Sequence, residues 1–265
     1  MNSEEKDRRR KLKRDITNKK KGIVIPISKK IVTTKEDKIS NNNIYDIDKF
    51  FKNKNIIIVG PSFNVLDDCK YIDVDSYDIV VRLNSHDLKE GDRKIIGYRT
   101  DWIYHCLSSL LVNQKLVDDW ETKKIKIISR YSPIERPVDK YNYNGFYFIE
   151  DSNFIINLKK EIGCNPSTGV VSIIHFLSLN IKSLTVVGYD FYQTLYNNDN
   201  NEKLRKQIMK NKHGVGPDKL SHNPSLQFEY IKDNIYLKDN RFMPLGFLKK
   251  LLDGEIEYKK ILNKR

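Results

Sequence analysis

The sequence predicts an α/β fold with a mostly parallel central sheet flanked by helices. Three observations predict it. Short, continuously apolar runs such as "NIIIVG" (residues 55–60) read as strands buried on both faces, the pattern of a parallel sheet. Stretches of helical length separate these runs, and such alternation builds parallel rather than antiparallel sheets. The runs also end on glycine or polar residues, at the sheet edge where open α/β folds bind their ligands.

Taken in order, residues 1–22 are dense in Lys and Arg and nearly free of large apolar side chains, so they cannot bury a core. Residues 1–44 read as a basic, disordered segment, with "IVIPI" (23–27) a short strand candidate, and 45–265 read as the folded domain. Strands are expected at "NIIIVG", "YDIVVRLN" (77–84), "DWIYHCL" (101–107), "IKIISR" (125–130), "FYFIE" (146–150) and "LTVVGYD" (184–190). Helices are expected at 63–70, 108–121, 153–162, 169–180, 201–211, 224–233 and 245–252.

Composition narrows the function. Hydrophobic residues make up 39% of the 265 and charged residues 31%, enough for one core with chain to spare. The net charge of +13 is concentrated in the N-terminal segment, which suits contact with anionic surfaces or a nuclear-targeting cluster. The body does not interleave basic and aromatic residues as a nucleic-acid stacking platform does, so nucleic acid is confined to the tail. Cys69, Cys106 and Cys164 lack metal-ligand spacing and are odd in number, which points to a reducing, intracellular compartment. No stretch has the length of a membrane span, and a soluble protein is expected.

The strand ends hold the candidate chemistry. Gly60-Pro61-Ser62 follows the first strand, where a glycine lets backbone N–H groups approach a phosphate or simply makes a turn. Asn84 ends the second strand with both a donor and an acceptor, and Arg82 before it reads as a structural ion-pair partner. Ser167-Thr168-Gly169 opens a helix with more hydroxyls than one cap needs, and so reads either as an anion site or as a cap with a spare hydroxyl. "GYDFYQTLY" supplies Tyr192 and Tyr196, whose phenols donate to phosphate oxygens without adding charge, although aromatics there also serve as core or rim. His222 stands before Asn223-Pro224, a helix start signal, and is the candidate general base. Glu229 follows in the same helix, and His175, inside an apolar helix, reads as a satisfied core residue.

These residues carry a resemblance. The stretch from "NIIIVGPSFN" to "GYRTD" resembles the long first motif of eukaryotic-type sialyltransferases, with its glycine-bearing strand end, D-x-V-x-R-x-N strand and G-x-(K/R)-T turn. "NPSTGVVSIIHFLSLNIKSLTVVGYDF" resembles their shorter second motif, and "HNPSLQFE" their last. "VVGYDFYQTLY" is similar to a loop of bacterial lipooligosaccharide sialyltransferases. The resemblance covers roughly residues 54–235 and implies a single GT-A-like, Rossmann-type domain. It implies an inverting, metal-independent transferase that takes CMP-sialic acid as donor and a glycan hydroxyl as acceptor, with no cofactor. Residue by residue, Asn84 contacts the nucleotide, Ser167, Thr168 and Gly169 hold ribose and phosphate, Tyr192 and Tyr196 stabilise the departing phosphate, and His222 is the base. Gly60, Ser62 and Asn64 belong to the first-loop part of the donor site. Three departures accompany it: the first-loop asparagine of relatives is replaced by Pro61 or Val59, with Asn64 as a stand-in; neither usual disulfide position is cysteine; and His222 to Glu229 is wider than in the animal motif.

Three rival readings remain. Asp73-Val74-Asp75 imitates the D-x-D of metal-dependent transferases that use UDP- or GDP-sugars. A different CMP-sugar, Kdo- or Kdn-like, is compatible with the same motifs, as is a nucleotide-binding relative without catalysis. Trp102, Tyr104 and His105 are acceptor-contact candidates by position alone, and the sequence leaves the acceptor open.

Overall fold

The computed structural model describes residues 47–84, 90–107, 114–129, 146–148, 152–194 and 222–258. The N-terminal segment, the 201–211 helix and Tyr196 lie outside the described residues. The chain runs α1 (Ile47–Phe51), β1 (Asn55–Val59), α2 (Val65–Cys69), β2 (Ile79–Leu83), α3 (Glu90–Ile96), β3 (Trp102–His105), α4 (Gln114–Thr122), β4 (Lys126–Ser129) and β5 (Phe146–Phe148). It continues through α5 (Ser152–Ile162), α6 (Thr168–Ser178), β6 (Ser183–Val187), α7 (Pro224–Ile231), β7 (Phe242–Pro244) and α8 (Gly246–Asp253).

The strands form one seven-stranded sheet in the order β5-β4-β3-β2-β1-β6-β7. The sequence predicts a mostly parallel sheet; every pairing described is parallel. Side chains alternate between two covered faces, as period 2 requires. Ile56, Ile58, Val81, Trp102, Tyr104 and Ile128 pack with Val170, Ile174 and Phe176 of α6. On the other face Ile57, Val59 and Val80 meet Val65 and Cys69 of α2 and Ile96 of α3, while Ile103 and Ile127 meet Val117 and Trp120 of α4. Two-sided burial is why these strands read as unbroken apolar runs.

β1 sits inside the sheet with β2 on one side and β6 on the other. The chain first adds strands outward from β1 through β5, then returns to place β6 on β1's other edge. Such a reversal leaves a crevice beyond the carboxyl ends of β1 and β6, the usual ligand position of an open α/β sheet. Among the described residues no helix is long and apolar enough to cross a membrane.

Several expectations shift in detail. α7 ends at Ile231 rather than 233, then widens into a π turn over Lys232–Tyr236. β7 has no counterpart among the expected strands. Arg82 is structural, but its hydrogen bonds go to neutral acceptors rather than an ion-pair partner. Its guanidinium, 1% exposed, donates to the carbonyls of Ile96, Gly97 and Arg99 and to Thr100 Oγ1. Burial holds its pKa down to about 10. The D-x-V-x-R-x-N strand and the Gly97–Thr100 turn therefore form one hydrogen-bonded unit.

His175 is buried as expected, yet its Nδ1 lacks a hydrogen-bond partner. His105 is also buried; its Nδ1 accepts from Leu107 N–H at 2.8 Å, while its Nε2 is unpartnered. Burial lowers their pKa values from 6.5 to about 4 and about 3 respectively. The unfolded chain then binds protons at mildly acidic pH that the folded chain refuses, so stability is full above 6.5 and falls as pH drops towards the folded values. Urea denaturation measured between about pH 7 and pH 5.5 is expected to show a loss on the order of 1 kcal/mol per histidine. His175→Phe removes its share of the slope, whatever it does to the absolute stability.

Candidate functional site

The crevice is built first by two glycines. The N–H of Gly60 donates to Val187 O at 2.8 Å and that of Ser62 to Gly188 O at 2.9 Å, so the ends of β1 and β6 stay zipped past the sheet. A Cβ at Gly60 would lie 2.3 Å from Gly188 O, and Gly188 itself has φ +63°. These N–H groups are thus bound to backbone carbonyls, and Gly60 serves the close approach of two strand ends. Ser62 is 3% exposed and its Oγ has no hydrogen-bond partner, which leaves a buried hydroxyl at the crevice.

Asp68 holds the opposite side of the turn. Its carboxylate accepts from Gly188 N–H at 2.9 Å and Phe247 N–H at 2.7 Å, while burial raises its pKa. Asn64 precedes α2 without capping it; its Nδ2 reaches Thr194 Oγ1 at 3.5 Å. Thr194 in turn donates to Asp190 through both N–H and hydroxyl. The first loop and the loop after β6 are thereby linked. Tyr192 lies in that second loop, half-buried, in a pair of left-handed residues with Phe191 (φ 66° and 50°).

Ser167 is the N-cap of α6, with its Oγ accepting from Val170 N–H at 3.4 Å. The same oxygen lies 2.9 Å from the hydroxyl of Tyr189, whose phenol pKa is pushed well above the ordinary value by burial. Its N–H donates to Gln227 Oε1 at 2.8 Å. The surplus of this turn thus divides: Ser167 is committed to the scaffold, and Thr168 and Gly169 contribute the first-turn N–H groups that a helix leaves without intrahelical acceptors. Gly169 has a packing reason, since a Cβ there would lie 2.3 Å from the Tyr189 ring.

His222 is half-buried, and its Nδ1 lies 2.8 Å from Asn165 O. A carbonyl only accepts, so Nδ1 carries the proton in this contact, and in the neutral ring the lone pair is then on Nε2, the form a general base needs. Asn223 caps α7 by accepting from the N–H groups of Ser225 and Leu226, with Pro224 in the first turn. Glu229 is exposed on the outer side of this helix. Asn84 stands half-buried at the end of β2 with φ 55°, and its Oδ1 accepts from Cys106 N–H at 3.3 Å.

The carboxyl edge of the sheet thus gathers Gly60, Ser62, Asn64, Asn84, Thr168, Gly169 and Tyr192, and His222 joins it through Asn165. Trp102, Tyr104 and His105 do not belong there as acceptor contacts. All three are buried inside β3, at 2%, 0% and 0% exposure, because both faces of that strand are covered. Asp73 caps a short 3-10 turn through Asp75 N–H, and Asp75 accepts from the N–H groups of Tyr98 and Arg99, so the pair braces the Gly97–Thr100 turn. Among the described residues no three His, Cys, Asp or Glu side chains gather as a metal-binding group.

Sequence reasoning missed Asp68, Tyr189 and Gln227. Two of these had a signal. Val65, Asp68 and Cys69 share the buried stripe of α2, and Pro224, Gln227, Phe228 and Ile231 that of α7. A polar residue inside an apolar stripe must find a buried partner.

No family model matches the chain, and no match is found among curated proteins. Solved structures that overlap it include a mammalian sialyltransferase in complex with Gal-beta-1-3GalNAc-ortho-nitrophenol, at 14% identity and TM-score 0.48, covering 74% of this chain and 71% of that one. The alpha-2,3-sialyltransferase Cst-I from Campylobacter jejuni overlaps at 15% identity and TM-score 0.49, covering 81% and 80%. CstII from Campylobacter jejuni in complex with cytidine-5'-monophosphate overlaps at 16% identity and TM-score 0.45, covering 74% and 87%.

Proposed function

We propose that the chain is an inverting, metal-independent glycosyltransferase that moves sialic acid from CMP-sialic acid to a glycan hydroxyl. The observation that carries this reading is the seating of His222. Its Nδ1–H is fixed on Asn165, two residues before the Ser167–Gly169 turn, which supports assigning the base to His222 and the donor phosphate to the adjacent helix end. Nε2 takes the proton of the acceptor hydroxyl as its oxygen attacks the anomeric carbon. The bond from that carbon to the CMP phosphate oxygen breaks, and the phosphate leaves with the electron pair. The α6 N-terminus and the Tyr192 phenol are the neutral donors that stabilise the charge developing there. Asn84 is assigned to the nucleotide, and Tyr196 to the phosphate beside Tyr192.

A second reading, nucleotide binding without catalysis, is favoured by one observation: the first-loop N–H groups of Gly60 and Ser62 are already bound to the carbonyls of Val187 and Gly188. A screen of CMP-, UDP- and GDP-sugars for hydrolysis and transfer, with and without chelator, separates the readings. Turnover is expected with a CMP-sugar alone, unchanged by chelation, and the preferred sugar distinguishes sialic acid from Kdo- or Kdn-like donors. A UDP- or GDP-sugar preference, or loss on chelation, overturns the proposal. CMP binding without turnover supports the non-catalytic reading.

A further inference from the structure

Gln227 is fully buried, yet it carries two hydrogen-bonding ends that the proposed chemistry does not use. Its Oε1 accepts from Ser167 N–H at 2.8 Å and its Nε2 donates to Asn223 O at 3.2 Å. Ser167 opens the helix assigned to the donor phosphate, and Asn223 follows the assigned base. The route closes on itself. From His222 the Nδ1–H bond leads to Asn165 O, the chain runs through Pro166 to Ser167, Gln227 bridges from Ser167 to Asn223, and one peptide bond returns to His222. Three covalent stretches, one of them the Gln227 amide, and three hydrogen bonds make a ring that includes the base. The same carbonyl also accepts the backbone N–H of Gln227 at 3.2 Å, and a contact from Cys164 Sγ at 3.8 Å is long and weak.

We infer that Gln227 is a positioning residue whose two-ended amide sets the distance and angle between the His222 segment and the Ser167 turn. This rests on the transferase reading for its catalytic consequence, but not for its structural one. An amide suits the task because a single planar group must accept on one side and donate on the other. A carboxylate accepts on both sides and sets an oxygen against Asn223 O. An apolar side chain of similar length leaves the buried Ser167 N–H without its acceptor, while Asn223 O keeps only the backbone N–H of Gln227 at 3.2 Å. The apolar change cuts the tie from Ser167 to α7 and the carboxylate strains its Asn223 end, so in both the Nδ1–H bond loosens, less so with the carboxylate.

The test uses the full chain, labelled with nitrogen-15 in histidine, with the His222 signals assigned by comparison with His222→Gln. The wild type is expected to show His222 as the Nδ1–H tautomer at alkaline pH. Gln227→Met is expected to show a mixture of tautomers while retaining a cooperative unfolding transition. Gln227→Glu preserves the volume and the acceptor for Ser167, so it keeps the inference falsifiable if the methionine variant fails to fold; it is expected to shift the mixture less far. If the folded variants keep the wild-type tautomer, the inference is wrong. The second readout is transfer. For the folded variants kcat is expected to fall about tenfold or more, with KM for the CMP-sugar within a few-fold, because misplacing a base by a fraction of an ångström acts on the chemical step. A residue that only stabilises the fold would lower the unfolding midpoint and leave that split unmoved. The tautomer measurement needs no substrate, so absence of transfer by the wild type overturns the transferase reading and leaves the positioning result standing.

Discussion

His222→Ala is expected to lower transfer by about two to four orders of magnitude, the usual share of a general base, while CMP affinity stays near that of the wild type. Initial-rate assays with a CMP-sugar and calorimetry with CMP measure the two quantities separately. The separation follows from the position of the residue: its imidazole is tied to Asn165 O, and the helix end assigned to the nucleotide begins two residues later, at the Ser167 cap. Removing the imidazole takes away the Nε2 lone pair and leaves Ser167 pinned by Tyr189 and Gln227. Transfer near the wild-type rate would show that another group takes the proton.

The second large effect concerns stability. Gly60→Ala is expected to cost roughly 2–4 kcal/mol, read as a lower urea midpoint, together with loss of CMP binding. The new methyl would sit 2.3 Å from Gly188 O and 2.9 Å from Gly188 C, which are backbone atoms and cannot rotate aside as a side chain does. Relief requires the ends of β1 and β6 to part, which breaks the Gly60–Val187 and Ser62–Gly188 hydrogen bonds. Gly91→Ala is the control: it lies in α3 with nothing within 4 Å of its added Cβ. A helical glycine-to-alanine change there is expected to add up to about 1 kcal/mol of stability. Equal effects at the two positions would refute the account of the crevice.

Much of the fold was legible because its signals are local. β1, β2 and β6 announce themselves as apolar runs, and the turn before α6 by its capping residues. β7 was not legible, because Phe242-Met243-Pro244 is three residues long and ends in proline, and only its partner β6 makes it a strand. The motif positions Asn84, Ser167 and His222 could be placed on strand and helix ends from sequence. What each one touches could not, since Tyr189 and Gln227 reach Ser167, Cys106 reaches Asn84 and Asn165 reaches His222 from other elements of the chain. The burial of Trp102, Tyr104 and His105, acceptor-contact candidates by position alone, was illegible for a related reason. Whether a strand end is open depends on what covers both its faces, and here α6 covers one and α4 the other. What Asp75 does in the rival D-x-D reading was likewise out of reach of the sequence: its carboxylate accepts from the Tyr98 and Arg99 backbone N–H groups.

The sheet order also bears on how the protein is made. β1 pairs with β6 across 128 residues of chain, as the Asn55–Ser183 register shows. Contacts of that separation are slow to form, since the intervening chain must be organised before the pairing rewards it. During synthesis, β1 to β5 can assemble in the order they emerge, with one edge of β1 left bare. That edge is a row of unpaired backbone groups on an apolar strand, a template for pairing with another nascent chain. Translation past Val187 is what closes it, so the last strand to reach β1 both completes the crevice and ends the interval in which the chain is most exposed to aggregation.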